Sequence, residues 1–384
     1  MVRDLIINSL MFGPISWIFS FFNILFRNDP ELILFGSNRG KQWSDNSKAL
    51  FEHFCENPGT LRPVWISRNR SVVSEIREIY PDNAVYAFSL QGLATYLKAS
   101  QIFVSHSFMD MCYFPPINGK TVNYLWHGIP IRKIGLSSPD SRGRGYWKRW
   151  NSVVDRFFVS SEYESKILRE AFAKEVEFVE TGNPRNDRLF EKFGKREKDS
   201  HPSRVILYAP TWRVTKSGGP ENNVPFFHPE IDLQRVDSFL EKIDASLIVR
   251  PHAALKCSDF SSTRISFIPT ELVGDISDLF FEADVLVTDY SSVYFDWLIT
   301  GKPIVFSAYD LEEYEEKYRF NEKYAKIIAG AIARTPDEIE DAISDALEDS
   351  TKYESKRGEI ADLVFGSNRG GACNQIRKII ESEA

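Results

Sequence analysis

From Pro30 onward the chain alternates between short apolar runs, rich in β-branched and aromatic residues, and stretches with helical periodicity. Neighbouring parallel strands need a crossover connection, usually a helix, so this alternation predicts doubly wound parallel sheets. The sequence predicts a first sheet with strands at residues 32–35, 64–67, 84–88, 102–105, 122–126, 157–160 and 176–180. It predicts a second sheet with strands at 205–209, 247–250, 265–269, 285–288 and 304–307.

A charged stretch at residues 191–200, closed by Pro202, interrupts the alternation once. The 384 residues are too many for one ordinary core and suit two domains. We therefore predict an N-terminal apolar segment at 1–29, a Rossmann-like domain at 30–192, a linker at 193–203 and a second Rossmann-like domain at 204–384. The expected fold class is α/β and GT-B-like, with the two parallel sheets facing a central cleft.

Composition and charge exclude several classes of protein. An apolar content of 43% with 26% charged residues is typical of a globular protein. The net charge of −7 lacks the basic field that general nucleic-acid binding needs, so no nucleic-acid partner is expected. The four cysteines are scattered without metal-ligand spacing, which predicts neither a disulfide framework nor a metal site and favours a reducing, cytoplasmic setting.

Residues 5–26 contain no charged side chain and are rich in phenylalanine. Their length approaches the ~20 residues of a membrane-spanning helix, but Gly13-Pro14 interrupts them. We therefore favour a membrane-associating helix in the plane of the bilayer, with a true span or a helix packed on the protein body as alternatives. Basic residues interleaved with aromatic ones at 132–150 fit an anionic membrane surface or an ordinary solvated face equally well. The expected location is peripheral, at the cytoplasmic face of the cell membrane.

Two histidines follow predicted strands in different halves of the chain, His127 in the first and His252 in the second. In open α/β sheets, ligands bind at the carboxyl ends of the strands. A histidine taken singly is more often structural, but two in such settings favour a transferase with a reactive imidazole in each domain. His106, at another predicted strand end, fits an acceptor groove or a structural role about equally.

Predicted strand ends also carry groups that can bind anions. After the strand that ends at Thr288 come Asp289 and the pair Ser291 and Ser292, which open a helix with unpaired amides. Such a helix start can bind a diphosphate without a metal, or the serines can simply cap the helix. Arg185, with Asn186 beside it, and Thr211 with Arg213 offer further donors to phosphate, although arginines often serve only as surface ion-pair partners.

Several motifs occur in the order seen in one known family. They are Leu125-Trp126-His127-Gly128-Ile129-Pro130, Pro184-Arg185-Asn186-Asp187, Ala209-Pro210-Thr211-Trp212-Arg213, Arg250-Pro251-His252, and Thr288-Asp289-Tyr290-Ser291-Ser292 with Asp296. In these motifs the chain resembles the CDP-glycerol glycerophosphotransferase family, which contains the teichoic acid glycerol and ribitol phosphate primases and polymerases. The resemblance covers residues from about 35 to 340.

The resemblance implies that CDP-glycerol, or a related CDP-alditol, is the co-substrate and binds the second domain. A lipid-linked or polymeric acceptor would approach the first domain, CMP would leave, and no other cofactor is expected. By the same resemblance His127 is the base, while His252 and Arg250 stabilise charge on the departing CMP. The other expected substrate-binding residues are Arg185, Asn186, Thr211, Arg213, Thr288, Asp289, Ser291, Ser292 and Asp296.

The sequence departs from the family pattern at Ile129, where threonine is frequent, at Arg132, where lysine is frequent, and at Arg319-Phe320-Asn321. These departures concern the acceptor and the alditol, so ribitol and glycerol donors, primase and polymerase activities, and teichoic acid or capsule acceptors stay alternatives. The sequence does not indicate an oligomeric state. A glycosyltransferase of the same architecture and a non-catalytic, membrane-bound polyanion-binding protein are the competing interpretations.

Overall fold

A computed structural model describes residues 27–114, 119–139, 145, 147–148, 152–172, 176–194, 204–211, 227–250, 262–269 and 273–383. They form two compact units. The first contains the described residues up to His127, together with those of Ile134–Arg188 and Phe365 to the end. The second contains Gly128–Lys133 and the described residues of Leu189–Val364.

In the described part of the first unit, seven parallel strands pair in the order β3-β2-β1-β4-β5-β6-β7. They are β1 (Asp29–Gly36), β2 (Arg62–Ser67), β3 (Ala84–Tyr86), β4 (Ala99–Val104), β5 (Thr121–Tyr124), β6 (Arg156–Val159) and β7 (Glu177–Glu180). The strand order runs outward in both directions from the central pair β1 and β4. This is the doubly wound pattern that the alternation predicts.

Both faces of this sheet are covered. Along β1, Leu32 and Leu34 enter the apolar cluster on one face, and Ile33 and Phe35 enter the cluster on the other, because side chains alternate across a strand. Phe35 stacks on Phe103 of β4 with ring centroids 4.8 Å apart. The helices that connect these strands are α1 (Asp45–Glu56), α2 (Arg70–Ile79), α3 (Leu90–Lys98), α4 (Glu162–Ala171) and α5 (Asp187–Phe193), the last of which continues into the second unit.

The second unit repeats the plan. In its described residues six parallel strands pair in the order β10-β9-β8-β11-β12-β13. They are β8 (Arg204–Tyr208), β9 (Ala245–Val249), β10 (Ile265–Phe267), β11 (Val285–Thr288), β12 (Ile304–Ser307) and β13 (Ala331–Ala333). The helices are α6 (Leu233–Lys242), α7 (Val293–Trp297), α8 (Leu311–Tyr318), α9 (Tyr324–Ile327), α10 (Pro336–Glu348) and α11 (Glu354–Phe365).

The C-terminal helix α12 (Ala372–Glu383) belongs to the first unit, so the predicted second domain at 204–384 is too long at its end. Ile376 and Ile380 are fully buried in the core of the first unit. The carboxylate of Asp187 accepts hydrogen bonds from the first two amides of α12, at 2.8 Å each. Burial of an apolar face and capping of the helix start therefore fix α12 on the first sheet.

A second correction concerns Gly128–Lys133, predicted within the first domain but part of the second unit. Asn321 holds this segment, since its side-chain amide donates to the carbonyls of Pro130 and Arg132 at 2.8 and 3.0 Å. The backbone amide of Asn321 also donates to the carbonyl of Ile131, at 2.9 Å. The carbonyls of Gly128–Lys133 named here thus find their hydrogen-bond donors in the second unit, although the strand that precedes this segment in sequence belongs to the first.

The α/β class with two parallel sheets is confirmed, and each strand predicted for either sheet is present with the same or slightly different bounds. The sequence analysis missed β13, a three-residue strand too short to show a periodic pattern. The predicted N-terminal segment, apart from residues 27–29, and nearly all of the predicted linker lie outside the described residues. Among the helices that the structure describes, none combines the length and hydropathy required to cross a membrane.

Candidate active site

In the first sheet the strand order reverses between β1 and β4, which places the ligand crevice of such a fold at their carboxyl ends. Three chain segments meet there. β1 leads through a turn to α1, β4 leads to Ser105 and His106, and β5 leads to Trp126 and His127. Trp126 has a left-handed backbone with φ of 53°, which ends the strand before the predicted residue 126. A bulky residue in that region is strained, and such strain concentrates at functional sites.

The imidazole of His127 has a defined tautomer. Its Nδ1 lies 3.0 Å from the carbonyl oxygen of Ser105. A carbonyl can only accept, so Nδ1 carries the hydrogen and Nε2 is the basic nitrogen. The preceding backbone is held by Asn46, whose amide donates to the carbonyls of Leu125 and Trp126 at 2.9 and 3.0 Å.

His106 lies flat against His127, with ring centroids 4.6 Å apart and an interplanar angle of 10°. Its Nε2 is 3.6 Å from a carboxylate oxygen of Asp45, the first residue of α1. The other carboxylate oxygen of Asp45 accepts from the guanidinium of Arg185 at 2.7 Å. The same guanidinium donates to the carbonyl of His127 at 3.0 Å. The first unit thus brings together two imidazoles, one carboxylate and one guanidinium.

Burial and charge set the protonation of this cluster. Burial, aided by the adjacent His106 and opposed by Asp45, lowers the pKa of His127 to about 4. Burial alone would raise the pKa of Asp45, but Arg185 and the two histidines bring that pKa below its ordinary value. At neutral pH His127 is therefore a neutral imidazole beside an ionised carboxylate.

Several residues that build the site were absent from the sequence prediction. Asp110 is fully buried and accepts hydrogen bonds from the amides of Arg39, Ser105 and His106, at 2.7, 3.1 and 2.7 Å. Ser107 and Asp110 form a capping box around a short 3₁₀ turn. The Ser-x-x-Asp spacing is the sequence signal that could have located this turn. Asn46 gave no comparable signal, because its partners lie 79 to 139 positions away.

In the second sheet the strand order reverses between β8 and β11. Asp289 is buried there, and its Oδ1 accepts from the amides of Thr211 and Tyr290 at 2.7 Å each. The hydroxyl of Thr288 is buried and donates to the carbonyl of Ala209 at 2.7 Å. In this arrangement Thr211, Thr288 and Asp289 tie the ends of the two central strands together. Their role in substrate binding stays a prediction.

The predicted phosphate-binding helix start is short. Ser291 and Ser292 are partly exposed after β11, and the helix α7 that follows has five residues before a 3₁₀ turn, Leu298–Thr300. Ser292 makes no side-chain capping bond, and Ser291 Oγ accepts from the amide of Val293 at 3.4 Å. Few aligned peptides contribute to the dipole of α7, so its field is weaker than that of a longer helix. Asp296 is buried on α7.

Of the three arginines predicted for the site, the two that the structure describes bind groups of the protein itself. Arg250 is buried, and its guanidinium donates to the carbonyls of Ile268, Pro269 and Gly274 at 3.1 to 3.2 Å. The guanidinium of Arg185 donates to Asp45 and to the carbonyl of His127, and the neighbouring Asn186 is buried. Arg213 and His252 lie outside the described residues. Within the part of the chain that the structure covers, no group of three or more His, Cys, Asp or Glu side chains has the geometry to hold a metal ion.

Comparison with known proteins adds independent information. The sequence profile described as CDP-Glycerol:Poly(glycerophosphate) glycerophosphotransferase matches residues 18–382. A teichoic acid glycerol-phosphate transferase of Staphylococcus aureus is 29% identical over 380 residues, which cover 91% of this chain and 92% of the relative. A teichoic acid poly(glycerol phosphate) polymerase of Bacillus spizizenii is 28% identical over 354 residues, which cover 86% of this chain and 87% of that relative.

Among solved structures, that of the wall teichoic acid polymerase TagF superimposes with a TM-score of 0.75. The superposition covers 100% of this chain and 95% of that one, at 24% sequence identity, and so supports the fold. The profile match extends over nearly the whole chain and includes the motifs that carry both histidines. The chain belongs to the CDP-glycerol:poly(glycerophosphate) glycerophosphotransferase family.

Proposed function

We propose that the protein transfers glycerol phosphate from CDP-glycerol to a hydroxyl of a lipid-linked or polymeric acceptor of the teichoic acid type, with release of CMP. Family membership supports the reaction class, and the names of the two curated relatives support the acceptor class. The observation that carries the proposal is the tautomer of His127, because its Nδ1 is committed to the Ser105 carbonyl and its Nε2 is basic.

The chemistry needs a base because an alkanol is a poor nucleophile at neutral pH. The acceptor oxygen attacks the phosphorus that carries glycerol, and Nε2 of His127 takes the hydroxyl proton. The bond from that phosphorus to the bridging oxygen breaks, and CMP leaves with the electron pair. Phosphoryl transfer depends mainly on placement and on stabilisation of charge, so the protein supplies few reactive groups.

The donor would be bound by groups of the second unit. Ser291 and Ser292, partly exposed after β11, offer hydroxyls to the diphosphate. By resemblance to the family motifs, we assign His252, aided by Arg250 nearby, to stabilising charge on the departing CMP, and Arg213 to pairing with phosphate oxygens. Asp296, one turn further along α7, would contact the glycerol hydroxyls.

Replacement of His127 tests the proposed base. His127→Gln removes the basic nitrogen and is expected to lower kcat by roughly 10²- to 10⁴-fold, measured as CMP release from CDP-glycerol. His53→Gln, on the far end of α1, is the matched control and should keep normal turnover. Near-normal CMP release by a folded His127→Gln protein would remove His127 from the mechanism.

The donor is tested separately by supplying CDP-glycerol, CDP-ribitol and UDP-sugars to the purified protein. We expect turnover with CDP-glycerol, and mass spectrometry of products on a synthetic lipid-linked acceptor shows how many units are added. Exclusive turnover of CDP-ribitol would make the protein a ribitolphosphotransferase, and exclusive turnover of a UDP-sugar would make it a glycosyltransferase. Absence of any donor turnover would support a non-catalytic, polyanion-binding role.

We further propose that the protein acts at the cytoplasmic face of the cell membrane as a peripheral protein on an anionic surface. The uncharged, aromatic residues 5–26 and the basic residues between 132 and 150 support this location. In a sedimentation assay with anionic liposomes, the full chain should bind and a variant lacking residues 1–28 should not. Equal sedimentation of both proteins would rule out the N-terminal segment as the anchor.

A further inference from the structure

The ring that stacks on His127 belongs to His106, which takes no chemical step in the proposed reaction. His106 lies on the loop after β4, and its ring is parallel to that of His127 with centroids 4.6 Å apart. The side chain of His106 is about one third exposed, at 32%. It therefore shields one face of His127 from water while keeping an edge open to solvent.

The hydrogen bonds of His106 fix its protonation. The amide of Asn38 donates to Nδ1 at 3.3 Å, so Nδ1 carries no hydrogen and Nε2 must carry it. Protonation of Nδ1 would place two N–H groups against each other. Because Nε2 lies 3.6 Å from Asp45, the N–H dipole of a neutral ring faces a carboxylate.

Besides Asp110, whose carboxylate accepts from the His106 amide at 2.7 Å, the titratable and charged groups around His106 come from four segments. Asp45 lies at the start of α1, Arg39 on the turn after β1, Arg185 on the 3₁₀ turn before α5, and His127 after β5. Burial lowers the pKa of His106, Asp45 raises it, and both arginines lower it. The balance agrees with the Asn38 hydrogen bond in keeping this ring neutral.

We propose that His106 is a positioning residue for the transfer reaction, whose neutral ring, held between the Asn38 amide and the Asp45 carboxylate, fixes the orientation of His127 and shields its stacked face from water. This inference rests on the proposed role of His127 as base. His106 touches no reacting atom in this scheme and acts through His127.

The test uses three variants of the full chain. His106→Ala removes the ring, His106→Asn keeps an acceptor for the Asn38 amide, and Asp45→Asn removes the charge. We expect each to lower kcat at least tenfold while the KM for CDP-glycerol changes less than twofold, because the proposed donor contacts are made by the second unit. His53→Gln again serves as the control.

The pH dependence separates positioning from simple support of the fold. Without the His106 ring water reaches His127, so the acid limb of kcat/KM should move up from near pH 4 by at least one unit in His106→Ala and His106→Asn. In Asp45→Asn the limb should not move up, because Asp45 favours the protonated form. NMR titration of the His127 ring, assigned against the spectrum of His127→Gln, should show the same shifts without any assay of activity.

Wild-type kcat and an unshifted His127 titration in folded His106→Asn would overturn the proposal. Equal losses in kcat with no change in the titration of His127 would also overturn it, since they would show a purely structural role. If His127→Gln retains turnover while the His106 variants still shift the His127 titration, the assignment of the base fails but the pairing of the rings stands. If His106→Ala does not fold, His106→Asn decides.

Discussion

At the scale of single residues, burial keeps His127 neutral, and the partner of its Nδ1 is a carbonyl and not a carboxylate. Its Nδ1 donates to the Ser105 carbonyl, which stabilises an imidazolium less than a carboxylate would. The carboxylate of Asp45 contacts His106 and acts on His127 through its charge. The result is a base that is unprotonated over the whole physiological pH range.

This arrangement predicts a dependence of stability on pH. The pKa of His127 is about 4 in the folded protein and about 6.5 in the unfolded chain, so the unfolded state binds more protons between these values. The stabilisation from neutral His127 is complete above pH 6.5 and is lost as the pH falls towards 4. Between pH 7 and pH 5 the loss should approach about 2 kcal/mol as an upper limit.

Urea unfolding of the wild type and of His127→Gln at the two pH values measures this loss, because every other titrating group is common to both proteins. The free energy of unfolding of the wild type should fall relative to that of the variant at pH 5. An unchanged difference between the two proteins would show that the pKa of His127 is not depressed by folding.

At the scale of elements, the C-terminal helix shows how a segment distant in sequence completes a core. Besides the capping by Asp187, Arg156 of β6 donates to Glu383 at the end of α12 and to Glu177 of β7, at 2.6 and 2.7 Å. The buried face of α12 packs on Leu50 and Phe54 of α1, the helix that also carries Asp45 and Asn46. Stability of α12 is therefore linked to the helix that positions the candidate site.

Ile376→Ala should destabilise the protein by about 2–5 kcal/mol, because a fully buried side chain is lost and a cavity remains. Lys378→Ala, two positions further on the exposed face of α12, is the control and should change stability by no more than about 0.5 kcal/mol. Denaturant unfolding gives both values. A loss below about 1 kcal/mol for Ile376→Ala would show that α12 contributes little to the core.

Local patterning of the sequence was sufficient for the described strands except β13, but not for all of the strand ends. The apolar runs at residues 32–35 and 285–288 are buried strands as predicted, since a strand covered on both faces needs continuous apolar residues. The run at 122–126 ends two residues early, at Tyr124, because Trp126 adopts a left-handed backbone. No propensity of tryptophan indicates that conformation, and tertiary contacts through Asn46 maintain it.

At the scale of the whole molecule, the proposed reaction assigns one histidine to each half of the chain. If His127 and His252 serve the same transfer step, their effects on kcat are not independent. The double variant His127→Gln/His252→Gln should then lose about as much CMP-release activity as the more severe single variant. A loss equal to the product of the two single factors would indicate that the two histidines contribute independently and do not act as a unit.

The sequence by itself determined the two doubly wound parallel sheets and the family, because apolar periodicity and motif order are local properties of the chain. Tertiary structure alone decided the placement of α12, the attachment of Gly128–Lys133 to the second unit, and the pairing of His106 with Asp45 and His127. The physical reason is that strands distant in sequence end at one edge of a sheet. There Arg185 meets Asp45 across 140 positions, and burial at that edge sets the pKa of His127.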